Sequence, residues 1–534
     1  MLKNIKYKNT FKKKNKVKNS SARTKKKIKR KTSISKKQKA GTNTTDKKVD
    51  EIDIENKIPT ENKIPTAEEI TARKKIKKFI KSSKWYLNIV CQNSGACMAF
   101  GTNISELNKF FSGFTDFRYM SSPIRKIGEN TNNGIVSEIE YERNKYKAYA
   151  VLKTAMRKRS DNLAYEYVVG NKFINRIMKV FPCFVETYGL YYNKLEDAPE
   201  IISWKRKISK PSITLTESEE LLASLSLQNS SDFKNACTES NKISILIQHI
   251  QNARSLHDML TKKFIVTELV YVLFIVYQAL SALRKTFTHY DLYTGNVLIY
   301  QPDPDKYIEY HYYETNDNII TFKSSCIPKI IDYGRSYFDN GNVTSKKIYD
   351  YLCTLPDCGE GDYACGYSSG FAYMQPLDPF FISTSQKNES HDLRLLKIIS
   401  EIIKELDKGV KYKYISPDPE LCGEPNCVIS GGGESQMINT YDVWEPLIAL
   451  KRFLRKVVYG IGIDEPAEKL FGTVENTQLS SDNIFNVEGA YIALKEIVVS
   501  QTFIDINNEN NSQKTKLGDF HIYADQRPMY FEKA

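Results

Sequence analysis

His289-Tyr290-Asp291-Leu292-Tyr293-Thr294-Gly295-Asn296 places a carboxylate and a carboxamide five residues apart, with the apolar run Val297-Leu298-Ile299-Tyr300 directly behind them. The pattern is H-x-D-L-x-x-x-N. Such a pair can serve phosphoryl transfer. Asp291 would accept the proton of an attacking hydroxyl, and Asn296 would hold a metal ion. A second carboxylate, Asp332, ends an apolar run and precedes a glycine in Ile330-Ile331-Asp332-Tyr333-Gly334. It suits a Mg²⁺ that bridges the β- and γ-phosphates of a nucleotide. Lys153 closes Tyr149-Ala150-Val151-Leu152-Lys153, the strand-like setting of a lysine that pairs with α- and β-phosphates. Glu166, 13 residues on, is the acid expected to orient that amine.

Each piece alone is ordinary. His, Asp and Asn are common turn residues, and Asp-Tyr-Gly is a turn signal. Their order along the chain joins them. A phosphate-covering turn should precede Lys153, and residues 126–141 read KIGENTNNGIVSEIEY. Gly128 and Gly134 stand at its ends, Asn130 takes the place of a middle glycine, and Val136 follows. Asn tolerates positive φ better than most side chains, so the turn can still form.

The elements that must hold these groups follow from periodicity. IRKIGE, GIVSEIEY and YKAYAVLK read as strands, LAYEYVVGNKFINRIM (163–178) as a helix, and VETYGLYYN (185–193) as a strand. A polar insertion spans about 194–241. ISILIQHI (243–250) is an apolar strand. Taken by itself, it reads as a plain edge strand. A second insertion, 301–326, holds KYIEYHYYE and NIITFK and reads as a β-hairpin. Cys353 to Asp378 is loop-rich, GGGESQ (431–436) is a flexible loop, and the tail behind it, YDVWEPLIALKRFLRKVVYG, reads as mostly helical.

From about residue 120 onward the chain resembles the protein kinase superfamily, and more closely the serine/threonine kinases of large nucleocytoplasmic DNA viruses such as mimiviruses. THYDLYTGNVLIY (288–300), IPKIIDYGRSYF (327–338) and SHDLRLLKII (390–399) carry the resemblance, with SGACMAFG (94–101) and FFSGFTDF (110–117) before them. It implies an α+β, two-lobed fold, with a β-rich N-lobe over 120–250 and a mostly helical C-lobe over 251–534. ATP and Mg²⁺ would lie between the lobes. By role, it implies Asp291 as base, Asn296 and Asp332 on the metal, Lys153 and Glu166 on the phosphates, and Gly128 to Gly134 above them. It also implies that Gln248 backs the adenine and that the backbone of His249 to Gln251 bonds its edge. Asp392 would brace the catalytic loop, a plain helix cap being the other reading. The substrate implied is a protein Ser/Thr hydroxyl. A nucleotide-binding scaffold and a small-molecule kinase are the alternatives.

Three departures bear on that expectation. Tyr290 replaces the Arg that commonly receives an activating phosphate, Tyr293 replaces the Lys that neutralises the γ-phosphate, and no A-P-E segment follows.

Composition sets the outer limits. With 534 residues and 41% hydrophobic content, the chain can bury a large core. Residues 1–48 carry 20 Lys/Arg and one acid, a net of +19 against +15 for the whole chain, so the remainder sums to −4. This tail lacks apolar periodicity and is expected to be disordered. A solvated extension, a contact to nucleic acid or another polyanion, and a nuclear-localisation signal all fit it. ENKIPTENKIPT (55–66), a duplicated hexapeptide, is a linker, and 67–119 an N-terminal extension whose segment 67–87 reads as an amphipathic helix. No apolar leader follows Met1, and Leu269–Leu283, at 15 residues, is short for a membrane span. None of the ten cysteines forms C-x-x-C, so reduced thiols in an intracellular protein, in host cytoplasm or a virion, are the expectation.

Overall fold

The β-branched and alternating segments between 125 and 248 pair into one antiparallel sheet. The computed structural model describes Thr71, Leu87, Cys91 and residues 97–127, 134–155, 162–193, 214–223, 225–227, 242–315, 317–345, 387–407, 413–415, 428–430, 441–458 and 482–534. The chain divides into two units, Met1–Ile70 and Thr71–Ala534. The basic tail, the duplicated linker, most of the 67–87 helix, Gly128, Asn130, most of the 194–241 insertion, the Cys353–Asp378 segment and the 431–436 loop lie outside the described residues.

The sheet contains β1 (Arg125–Lys126), β2 (Gly134–Arg143), β3 (Tyr146–Ala155), β4 (Thr187–Asn193), β5 (Leu225–Leu227) and β6 (Ile243–Gln248), in the order β1-β2-β3-β6-β4-β5. Being central, β3 is buried along Ala148–Leu152. That explains its unbroken apolar run, since a strand covered on both faces need not alternate. Lys153 stands opposite Val136 on β2 and Ile245 on β6.

Ahead of the sheet, α1 (Ile104–Phe110) and the turn behind it bury Phe110, Phe111 and Phe114. Phe114 stacks on Tyr188 with centroids 4.1 Å apart. Cys91 and Cys97 form a disulfide, which corrects the expectation of reduced thiols at this pair. Cys183 and Cys326 are free and buried.

Two further helices fall between strands of this sheet, and all later ones follow β6. α2 (Asn162–Val169) carries Glu166 and runs on through a π turn, Gly170–Ile174, to Ile177. α3 (Leu215–Ala223), α4 (Leu256–Met259) and α5 (Lys262–Thr267) are short. α6 (Leu269–Leu283) is buried at every position but Ala282, so its all-round apolar sequence reports the centre of a core. Burying each Leu, Ile, Val or Phe there contributes roughly 1.5–3 kcal/mol. No described helix is long and apolar enough to cross a membrane. α7 (Arg394–Asp407) buries Leu395, Leu396, Ile399 and Ile403, one face of a helix. α8 (Tyr441–Lys456), α9 (Val487–Val498) and α10 (Gln501–Asn510) complete the helices described, and α9 packs along α6.

Small strands set the loops. β7 (Arg254–Ser255), β9 (Val297–Tyr300) and β12 (Ile327–Ile330) form one sheet, with β9 central. β8 (Phe287–Thr288) pairs with β13 (Tyr337–Phe338). The 301–326 insertion is the expected hairpin, β10 (Lys306–Tyr313) with β11 (Ile319–Ser324). β14 (Lys413–Ile415) pairs with β15 (Val428–Ser430). The segment YDVWEPLIALKRFLRKVVYG is helical as expected, in α8, and the last residues add strands that the sequence did not announce. β16 (Thr515–Tyr523) runs parallel to β10, and β17 (Tyr530–Lys533) closes a sheet of order β11-β10-β16-β17.

Candidate active site

Three elements far apart in sequence meet at Lys153. Its ammonium donates to Glu166 Oε1 at 2.6 Å and to Asp332 Oδ1 at 3.4 Å. The amine comes from the middle of the sheet, Glu166 from α2, and Asp332 from the residue pair after β12. Gly170 permits this approach. A Cβ there would come within 2.0 Å of Thr187 Oγ1, so only glycine lets α2 lie this close to β4. The Tyr165 hydroxyl donates to the Ser336 carbonyl, tying α2 to the segment behind Asp332.

Burial pulls the Lys153 amine down, but Asp332 and Glu166 outweigh it and hold the ammonium charged above its ordinary range. Lys153 in turn keeps the Asp332 carboxyl below its usual value. Burial pushes Glu166 up to about 7 despite the neighbouring ammonium. The two acids also differ in access: the Glu166 side chain is 3% exposed and Asp332 is 48% exposed.

The loop bearing Asp291 is held from below. Asp392 accepts the backbone N–H of His289 at 2.7 Å and of Tyr290 at 3.0 Å, one on each carboxylate oxygen. Of the two readings of Asp392, the structure shows the brace. Burial pushes its carboxyl up, and His289 and the two N–H groups act against that. The bonds fall where they are needed, because Tyr290 has φ 62°. A bulky side chain in that region costs about 1–3 kcal/mol and persists only where its surroundings fix it. The Tyr290 ring is fully buried against His391, 4.8 Å between centroids. Asp332 is likewise left-handed, at φ 70° and ψ 67°.

Asn296 donates from Nδ2 to the Asp291 carbonyl at 2.9 Å, which leaves its amide oxygen as the group that could meet a metal. The two halves of the site are joined by backbone. β9 and β12 are antiparallel with Val297 opposite Ile330, and the Ile331 N–H donates to the Asn296 carbonyl at 3.0 Å. His289 Nε2 lies 3.0 Å from the Ile331 carbonyl. Asp332, the next residue, is thereby brought beside the Asp291–Asn296 loop.

The residues expected at the base of a nucleotide belong to β2 of the same sheet or follow its strand β6. Val136 is half-buried opposite Lys153, and Gly134 pairs with Ala155. Ile250 is buried. The His249 N–H is engaged by the Tyr149 carbonyl at 3.1 Å, and the Ile250 carbonyl accepts from Ala253 at 3.2 Å. The His249 N–H is thereby taken up, while the Ile250 carbonyl keeps a second lone pair. The His249 ring instead meets Glu138, Nε2 to Oε2 at 3.0 Å. Burial, helped by Arg125, pulls this imidazole down to about 4, so it is neutral at pH 7 and donates to the carboxylate. Gln248 is buried and accepts the Glu186 N–H through its side-chain oxygen at 3.2 Å.

Two arginines at this site escaped the sequence reading. Arg394 donates to Asp291 Oδ1 at 3.0 Å, and Arg335 Nη1 is 3.8 Å from Asp291 Oδ2. The only hint in sequence was a vacancy, the lysine missing at Tyr293. Elsewhere, Glu309, His311 and Asp519 bring ligand atoms within 4.8 Å of one another. Lys516 Nζ already lies 2.5 Å from Glu309 Oε2 and 2.6 Å from Asp519 Oδ1, taking the place a cation would fill.

No protein-family model and no curated protein matches the chain. Among solved structures it is similar to a crystal structure of a kinase domain, at 14% identity and a TM-score of 0.23, over 46% of this chain and 62% of that one.

Proposed function

We propose that the chain is a two-lobed kinase that transfers the γ-phosphate of ATP to a protein Ser/Thr hydroxyl. One observation carries this reading. Lys153, Glu166 and Asp332 meet in one cluster, with the Asp291–Asn296 loop a single backbone step away. Positioning and electrostatics are what phosphoryl transfer asks of a protein, and this arrangement provides both.

The roles follow from the contacts. Lys153, charged and oriented by Glu166, would bind the α- and β-phosphates. Asp291 would orient the acceptor hydroxyl and take its proton. The carboxylate of Asp332, half-exposed, and the amide oxygen of Asn296 form a hard oxygen donor pair of the kind Mg²⁺ takes. Mg²⁺ held there would neutralise phosphate charge. On the adenine side, the His249 carbonyl and the Gln251 N–H have no backbone partner among the described residues, and these two would meet the base edge.

The test is transfer from labelled ATP with Mg²⁺ to a generic basic protein, with phosphoamino-acid analysis of the product. Phosphoserine or phosphothreonine made by the wild-type chain and lost in Asp291→Ala supports the reading. Nucleotide binding without transfer to protein or small-molecule acceptors would favour a scaffold, and transfer only to a small molecule would replace the acceptor class.

A further inference from the structure

The loop that carries the proposed base has lost its own cation. Where a lysine two residues after the base would neutralise the transferred phosphate, this chain has Tyr293. The charge has not left the site. The guanidinium of Arg394 donates to Asp291 Oδ1 at 3.0 Å, and its carbon sits 5.9 Å from the centre of the Tyr293 ring. Gly295 makes room for that ring, since a Cβ at 295 would lie 2.5 Å from its edge.

We propose that Arg394 replaces the missing lysine: it holds the Asp291 carboxylate with one N–H and presents its remaining donors to the γ-phosphoryl group. The inference rests on the kinase reading above and names a residue that reading did not contain. Its placement is built in. Arg394 opens α7 two residues after Asp392, whose carboxylate carries the backbone of His289 and Tyr290. One turn therefore fixes both the loop and the cation beside it. A guanidinium suits the task, because its planar fork can bond a carboxylate and a phosphate oxygen together, which a lysine ammonium does only as a point charge. Arg335, 3.8 Å from the other carboxylate oxygen, adds positive charge on the second side. The Asp291 side chain keeps 20% of its exposure, so a hydroxyl can still reach it.

The step balances without a further reactant. The acceptor oxygen forms its bond to the γ-phosphorus, and the bond from that phosphorus to the β,γ-bridging oxygen breaks. The electron pair leaves on ADP and the hydroxyl proton passes to Asp291. Arg394 gains and loses no proton, and it offsets the charge on the phosphoryl oxygens.

The experiment uses the full chain with Mg-ATP and a phosphate-accepting protein. It compares wild type, Arg394→Ala, Arg394→Lys, Tyr293→Lys and the double variant Arg394→Ala/Tyr293→Lys, with melting and ATP binding recorded for each. The expected result for Arg394→Ala is a kcat lowered about 10²-fold or more, with the KM for ATP within a few-fold of wild type. Lysine at 293 should restore at least about tenfold of that loss, a rescue that repair of packing alone would not give. Arg394→Lys should fall between. A folded, ATP-binding Arg394→Ala with kcat within twofold of wild type overturns the proposal alone. So does a folded double variant no faster than Arg394→Ala. A wild-type chain that transfers no phosphate to any acceptor overturns the kinase reading and this inference with it.

Discussion

Two clusters in this protein have the same composition, one lysine between two carboxylates, and they do opposite things with it. On the C-terminal sheet, Lys516 lies 2.5 Å from Glu309 and 2.6 Å from Asp519, and all three side chains are partly exposed. At the candidate site, Lys153 lies 2.6 Å from Glu166 but 3.4 Å from Asp332. The first cluster is satisfied. The second has one carboxylate held tightly in a buried place and another held loosely at the surface. Asp332 thus retains capacity for another cation, while the carboxylates on the sheet have spent theirs. Composition does not mark a site; unspent ligand capacity beside a buried charge does.

The assembly of the two clusters differs as well. Glu309 and Asp519 are paired residues of two adjacent strands, so the sheet register alone brings them together. Lys153, Glu166 and Asp332 come from a strand, a helix and a left-handed turn. Their meeting requires the glycine at 170 and the strained backbone at 332. Structure that accepts strain to converge three groups is more readily explained by chemistry than by stability.

The largest effect should follow from breaking the candidate site and leaving the cluster on the sheet alone. Lys153→Ala or Asp291→Ala is expected to lower phosphoryl transfer by about 10³-fold or more, with circular dichroism and melting close to wild type. Lys516→Ala should leave kcat within twofold. Comparable losses from Lys153→Ala and Lys516→Ala would erase the distinction drawn here.

Asp332→Asn should come next. It keeps the shape and removes the charge that Lys153 meets and that a metal would use. We expect the Mg²⁺ concentration needed for half-maximal rate to rise by about tenfold or more, alongside a loss in kcat. Asp519→Asn on the sheet should move neither. Metal titrations of both variants under saturating ATP would show it.

The comparison extends to histidines that meet carboxylates. His249 donates to Glu138, a carboxylate 6% exposed, and is pulled down to about 4, whereas His311 meets Asp519, a carboxylate 19% exposed, at 2.7 Å. His249 is lowered in the fold, so the unfolded chain binds the proton more readily between pH 6.5 and 4. Stability from this residue is therefore complete above pH 6.5 and is lost as pH falls through about 4. The span corresponds to roughly 3 kcal/mol at most. His249→Gln should flatten that acid limb in denaturant titrations at pH 4 to 7. An unchanged slope would mean that His249 is charged in the fold.

How much of this was legible beforehand depends on the range of the interaction. The strand ending in Lys153 and the apolar run before Asp332 could be read locally, because a buried strand is written in consecutive residues. The H-x-D-L-x-x-x-N turn was likewise local. Glu166 was reachable by spacing, since one helix follows one strand. Arg394 was not, because nothing between residues 291 and 394 records that one side chain will meet the other. The 515–533 strands were missed for the same reason. Their pairing with β10 spans about two hundred positions, and their alternation is short and interrupted. That the His249 N–H is taken up by the Tyr149 carbonyl could not be read beforehand, because a strand's hydrogen-bond register is not written in its side chains.

The smallest effect tests the satisfied cluster itself. Lys516 is about one-third exposed, so its ion pairs are screened, and Lys516→Ala should cost no more than about 1 kcal/mol of stability. Its informative consequence is different. With the ammonium gone, Glu309, His311 and Asp519 keep ligand atoms within 4.8 Å of one another and have no cation between them. An imidazole with two carboxylates suits Zn²⁺. Added Zn²⁺ should therefore raise the melting temperature of Lys516→Ala more than that of the wild-type chain, because in the wild type Zn²⁺ must first displace the ammonium. An equal response in both chains would show that the lysine had not saturated those carboxylates. Capacity left unspent would then no longer separate the candidate site from the sheet.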